Sequence, residues 1–133
     1  MSVKAIPDNY SNVIPFFNCT NADKVIDFAV HTLGAKVMDI HKDEAGKIMH
    51  AAIQVRDSAI MLAEASEKFP AHETMVYFYV EDVDTVYKKG IEAGGSSLQE
   101  PADQFYGDRV CGMKDPSGNQ WWIATHIKDY EGN

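Results

Sequence analysis

Residues 74–95 read TMVYFYVEDVDTVYKKGIEAGG. Thr74 to Val80 is short, apolar and aromatic, which predicts a strand. Asp82 suits the N-cap of a helix whose apolar side is Val83, Val86, Tyr87 and Ile91. Gly94-Gly95 ends that helix. Working outward toward the C-terminus, Ser96 to Glu100, Arg109 to Lys114 and Gln120 to His126 read as three further strands. Asp115-Pro116-Ser117-Gly118 suits a type I turn, with Asp first, Pro second and Gly fourth, so Asp115 and Gly118 are structural before anything else.

The same order occurs upstream. Val13 to Cys19 is a strand candidate. Thr20 with Asp23 resembles a capping box. Ala22, Val25, Ile26, Ala29, Val30 and Leu33 recur at helical spacing, and Gly34 stops the helix. Ala35 to His41, Lys47 to Val55 and Ser58 to Glu64 follow as strands, with turns at Ala45-Gly46 and Arg56-Asp57. Residues 67–73 (EKFPAHE) read as a linker. A single ungapped offset of 61 aligns the halves, placing Phe16 on Tyr77, Asn21 on Asp82, Gly34 on Gly95 and Met61 on Trp122. The expectation is an α+β fold of two tandem βαβββ modules, about 12–66 and 74–127, in one domain over residues 1–133.

Strand parity assigns the faces. Val76, Phe78 and Val80 form an apolar face for packing on a helix. Met75, Tyr77 and Tyr79 point the other way, where the tyrosine hydroxyls need partners or water. Trp121, Ile123 and Thr125 face a helix, while Gln120, Trp122, Ala124 and His126 share the opposite face. Ala59, Met61 and Ala63 correspond in the first half, as do Ile14, Phe16 and Asn18. The reading is two curved mixed sheets with helices outside and a hollow inside, of the kind that takes small molecules. The alternative is that these residues simply fill a core between the sheets.

The chain has 12 basic and 20 acidic residues, a net charge of -8. That argues against nucleic acid and against an anionic membrane surface, and it would suit a cationic ligand. Cys19 and Cys111 are the only cysteines; both sit in apolar runs and read as reduced, buried thiols. The first twelve residues contain no stretch of signal-peptide length, and no run reaches the ~20 apolar residues that span a bilayer. A cytoplasmic location is the default expectation.

Tyr106-Gly107-Asp108-Arg109 followed by Asp115-Pro116-Ser117-Gly118-Asn119-Gln120-Trp121 resembles the PhnB-like branch of the vicinal-oxygen-chelate superfamily. That superfamily includes glyoxalase I, extradiol dioxygenases and bleomycin-resistance proteins. Ile91 to Gly95 and Val80 to Asp84 also fit, and the resemblance spans roughly residues 12–127. It implies a homodimer with cavities completed at a module or subunit interface, residues 67–73 serving as the hinge if modules exchange. It also implies a divalent metal held by His, Glu or Gln from the first and last strands of each module. Those positions are Ile14, Met61, Met75 and Trp122 here, none a usual ligand for such an ion. The expectation is therefore no metal and no cofactor. A shifted site would draw on His50, His126 and Glu64, while His31, His41 and His72 read as helix-surface, strand-end and linker residues.

The candidate ligand-binding residues are Phe16, Asn18, Met61, Met75, Tyr77, Tyr79, Arg109 and Trp122. Aromatic faces of this kind hold planar or cationic organic molecules. Arg109 reads either as a partner for a ligand carboxylate or phosphate or as a structural ion pair with Asp108, Glu100 or Asp103. The function expected is sequestration of a small organic ligand. The alternatives are a metal-dependent glyoxalase-like lyase or dioxygenase with a shifted site, and a metal-free enzyme using Arg109, a tyrosine or a histidine. The residues assign no catalytic group.

Overall fold

A strand that pairs in parallel with another nearby in sequence needs a long crossover between them. Each half of this chain is built round such a pair. In the computed structural model, which describes residues 2–129, the first half runs β1 (Phe16–Cys19), α1 (Ala22–Leu33), β2 (Lys36–Lys42), β3 (Ile48–Val55) and β4 (Ser58–Glu64). The second runs β5 (Met75–Tyr79), α2 (Val83–Glu92), β6 (Ser96–Asp103), β7 (Asp108–Lys114) and β8 (Gln120–His126). The strand orders are β1-β4-β3-β2 and β5-β8-β7-β6. This is the α+β arrangement of two tandem modules that the sequence implies. Met1 and residues 130–133 of the expected 1–133 span lie outside the described residues.

The parallel pairs match in register. Phe16 faces Met61 in β1/β4, and Tyr77 faces Trp122 in β5/β8. These pairs differ by 61. The offset is not constant, however. Val37 pairs with Ile53 and Ser97 with Met113, and both pairs are interrupted by a bulge directly afterwards. Here the difference is 60. The left-handed glycine that ends each helix, Gly34 (φ 68°) or Gly94 (φ 95°), shows the same 60. The equivalence of Gly34 with Gly95 is thereby corrected: α2 has 10 residues against 12 in α1 and reaches its stop early. The turn after β7 restores the count. Residues 116–118 lie between Asp115 and Asn119, whereas only Arg56 and Asp57 separate Val55 from Ser58.

Asp82 caps α2, its carboxylate accepting from the Thr85 N–H at 3.2 Å. The capping box expected at Thr20 does not form. Asn21 takes a left-handed conformation (φ 56°) and makes no side-chain cap bond. Glu64, at the end of β4, supplies the cap instead. Its carboxylate accepts from the N–H groups of Asn21 and Ala22, both at 3.0 Å. Thr125, the residue 61 further on, does the same for α2, its hydroxyl accepting from the Val83 N–H at 2.9 Å.

The core lies on the helix-bearing faces and is continuous between the halves. Trp121 is fully buried, with its ring centroid 5.3 Å from Phe17 and 5.8 Å from Phe28. Its indole N–H donates to Asp115 at 2.9 Å. Asp115 also accepts from the N–H groups of Ser117 and Asn119, at 2.8 and 3.0 Å. The turn aspartate is thus structural. Cys19 and Cys111 are free and buried. Burial, with Asp115 adding to it at Cys19, pushes both thiols up to about 11, so they are unreactive at neutral pH.

Asp115→Ala strands a buried indole N–H and two turn amides, and should cost about 3 kcal/mol or more at ~1–3 kcal/mol per orphaned donor. Asp82→Ala removes one exposed cap and should cost about 1 kcal/mol. Urea unfolding of the two variants measures the difference; equal costs would contradict this account of the turn.

Candidate ligand-binding site

The two equivalent hollows, one against each sheet, are filled differently. Against the first sheet lies a cavity of about 760 Å³. Phe16 and Asn18 of β1, Met49 of β3 and Ala63 of β4 line it, together with Phe69 and Pro70 of the connecting segment. The connecting segment is not a free hinge here. The Asn18 side-chain amide donates to the carbonyls of Phe69 and Pro70 at 2.6 and 2.9 Å. The His72 N–H in turn donates to the Asn18 carbonyl at 3.2 Å. Residues 67–73, read from the sequence as a linker, wall the cavity and are tied to β1 through both the side chain and the carbonyl of Asn18.

The second hollow holds larger side chains. Tyr79 stands where the first half has Asn18, and Trp122 where it has Met61. Asp108, the first residue of β7, lies at their centre and is 2% exposed. Its carboxylate accepts from the Tyr77 and Tyr79 hydroxyls at 2.6 and 2.7 Å, and Nδ1 of His126 lies 2.8 Å away. Nε2 of His126 reaches Asp129 at 2.8 Å. Burial alone would raise the Asp108 carboxyl. The hydrogen bonds from Tyr77, His126 and Tyr79 outweigh that and hold it below its ordinary range. Burial and the bond to Asp108 raise the Tyr77 phenol, and the bond to Asp108 raises that of Tyr79. Neither tyrosine is therefore a base near neutrality. The bonds to Asp108 and Asp129 raise His126 above its ordinary value of about 6.5.

The eight residues singled out from sequence do not meet at one place. Phe16 and Asn18 line the large cavity. Met61 borders a smaller one of about 270 Å³ with Ile14, Ala5, Ile6 and Tyr10. Tyr77 and Tyr79 belong to the Asp108 cluster, and Met75 on the same strand is 61% exposed. The Trp122 ring covers Gly112, where an added Cβ would sit 2.6 Å from it. Arg109 points to the helix side, its guanidinium on both carboxylate oxygens of Asp84 and on Asp103, each at 3.0 Å. It is an ion pair, with Asp84 rather than Asp108 or Glu100 beside Asp103.

Asp108 itself was not singled out as a site residue, although the unpaired tyrosines opposite were a signal for it. Cross-strand pairing with His126 brings it to them.

The metal-ligand positions implied by the resemblance do not fit a divalent ion. Ile14 has no donor atom, Met61 and Met75 offer only thioethers, and the Trp122 indole N–H donates to Gln120 at 2.9 Å. Among the described residues, no three or more His, Cys, Asp or Glu side chains are grouped to hold a metal. Glu64, a candidate for a shifted site, is occupied by the α1 cap.

A family model described as the Glyoxalase/Bleomycin resistance protein/Dioxygenase superfamily matches residues 14–123. The chain belongs to that superfamily. Solved structures agree with it. TioX from Micromonospora sp. ML1 superposes with a TM-score of 0.75 at 22% identity, covering 88% of this chain and 99% of that one. A PhnB protein from Bacillus cereus, described as a putative 3-demethylubiquinone-9 3-methyltransferase, gives 0.69 at 16%, covering 86% and 99%. TnmS3, an antibiotic binding protein from Streptomyces sp. CB03234, gives 0.69 at 18%, covering 95% and 98%. At these identities the likeness is one of fold. No described helix of this superfamily member is long and apolar enough to cross a membrane.

His126 gives a direct check on the cluster. Its raised value means that its pairing stabilises the fold fully below pH ~6.5, the contribution fading as pH rises through the folded value. The depressed Asp108 contributes above its unfolded value near 3.8, and that is lost as pH falls through its folded one. NMR titration should place the His126 midpoint above 6.5 and show it fall in Asp108→Asn. A midpoint at 6.5 in the parent protein would mean the cluster does not form.

Proposed function

We propose that this protein binds a small organic molecule in the cavity between the first sheet and residues 67–73, sequestering it without chemistry. The cavity itself carries the reading: about 760 Å³, walled mainly by apolar and aromatic side chains. That size and lining suit a ligand of drug-like dimensions. TnmS3, which shares the fold, is by its description an antibiotic binding protein. The donor-poor positions Ile14, Met61, Met75 and Trp122 support a metal-free role. The Asp108 cluster is self-satisfied, its carboxylate accepting from its neighbours and its tyrosines held protonated, which suits a rigid scaffold better than proton transfer.

Two copies are proposed to associate through the face of β5 turned away from the helices. Met75, Tyr77 and Tyr79 are 61%, 44% and 53% exposed there, an unusual concentration of large apolar surface on one short strand. Light scattering should report a dimer, and a strictly monomeric protein would remove this part of the proposal.

Amide shifts on titration with planar aromatic compounds should concentrate at Phe16, Ala63 and Phe69, with the compound recovered unchanged. Asn18→Ala frees the wall and should weaken such binding about tenfold, through loss of two hydrogen bonds worth about 0.5–1.5 kcal/mol each. Protein incubated with Ni, Zn, Mn or Fe(II) and desalted should retain well under one metal per chain by mass spectrometry. About one per chain, or turnover of a bound compound, would overturn the proposal.

A further inference from the structure

The chain as a whole is acidic, yet the charges at the cavity are not. Lys47, Lys68 and His72 line it beside the apolar walls. Glu64 is the only acidic residue there, and its carboxylate is turned to the first N–H groups of α1. The positive end of that helix satisfies it. The two lysines have no such partner. Among the described residues, neither amine pairs with a carboxylate, and Lys68 only lies 5.5 Å from the centre of the Phe69 ring. Four other basic side chains are engaged: Lys4 with Asp8, Arg56 with Glu81, Arg109 with Asp84 and Asp103, Lys114 with Glu73. The remaining lysines, among the described residues, also have no ion pair, so what distinguishes Lys47 and Lys68 is their place at an apolar hollow. In a chain with eight more acidic than basic residues, two unopposed ammonium groups at one apolar hollow are a local reversal of sign.

From this we infer that the ligand is a planar aromatic molecule bearing an acidic group, its ring against Phe16, Met49 and Phe69 and its anion toward Lys47 and Lys68. The inference rests on the reading of this cavity as the ligand site and names the ligand class. A cationic ligand, which the net charge alone would suggest, would meet two like charges on entry. Range decides between the two arguments. At physiological salt, charges more than about 8 Å apart are largely screened, so the groups lining the hollow outweigh the distant carboxylates.

The test uses two probes with one ring system, 2-naphthoate and 2-naphthylmethylammonium, titrated calorimetrically into the full-length protein. The naphthoate should bind about tenfold more tightly, as expected for two partly exposed ion pairs. Lys47→Gln with Lys68→Gln should abolish that preference while thermal melting stays unchanged. Ala63→Phe, which fills the hollow, should remove binding of both probes; Phe69→Ala serves the same purpose if that variant does not fold. Equal binding of the two probes, tighter binding of the amine, or a preference surviving the double substitution would overturn the inference while leaving the cavity reading intact. Binding of neither probe would overturn both.

Discussion

The burial of Trp121 is the constraint on which the rest of the structure depends. Its ring sits against Phe17 and Phe28 of the first module although it belongs to the second. Its N–H is given to Asp115, and Asp115 holds the turn that starts β8. One side chain therefore fixes how the modules meet and where β8 begins. Strand alternation does the remainder. With Trp121 and Ile123 committed to the core, Trp122, Ala124 and His126 must face the other way. Truncating a buried Trp typically costs about 3–5 kcal/mol, and here the loss would also orphan the turn carboxylate.

The two halves share a plan and differ in filling. Both helices begin under a side chain from the last strand of their own module, Glu64 in one and Thr125 in the other. The same backbone requirement is met by different chemistry, because an unpaired N–H at a helix start donates to any well-placed oxygen. The hollows diverge further. Phe16 and Asn18 are replaced by Tyr77 and Tyr79, and the second hollow gains Asp108 as a common acceptor. Bulk and hydrogen bonds occupy it. The first stays open.

Much of this was legible in the sequence. The helices, the β4 and β8 limits, the Asp82 cap and the faces of β8 follow from periodicity and turn chemistry, which act within a few residues. What was missed acts over longer distances. The Thr20 capping box fails because a carboxylate 44 positions away from Thr20 reaches the helix first. Gly34 matches Gly94 rather than Gly95 because a shortened helix and a lengthened turn cancel, leaving an ungapped comparison correct at both ends and wrong between. Arg109 is taken up by Asp84 of α2, a partner that strand spacing does not reveal. The site residues read as one set are divided because sequence parity says which face a side chain occupies, not which neighbouring segment covers that face.

That last point bears on stoichiometry. Duplication of a module copies strands and helix alike, and with them any hollow they enclose. A joining segment is not copied, since two modules in one chain need only one. Here the joining segment is the wall, clamped by Asn18, and the corresponding position in the second half is a tyrosine bound to Asp108. Among the described residues the internal symmetry is broken at this wall, so the binding proposed for the first hollow would run at one ligand per polypeptide, not two.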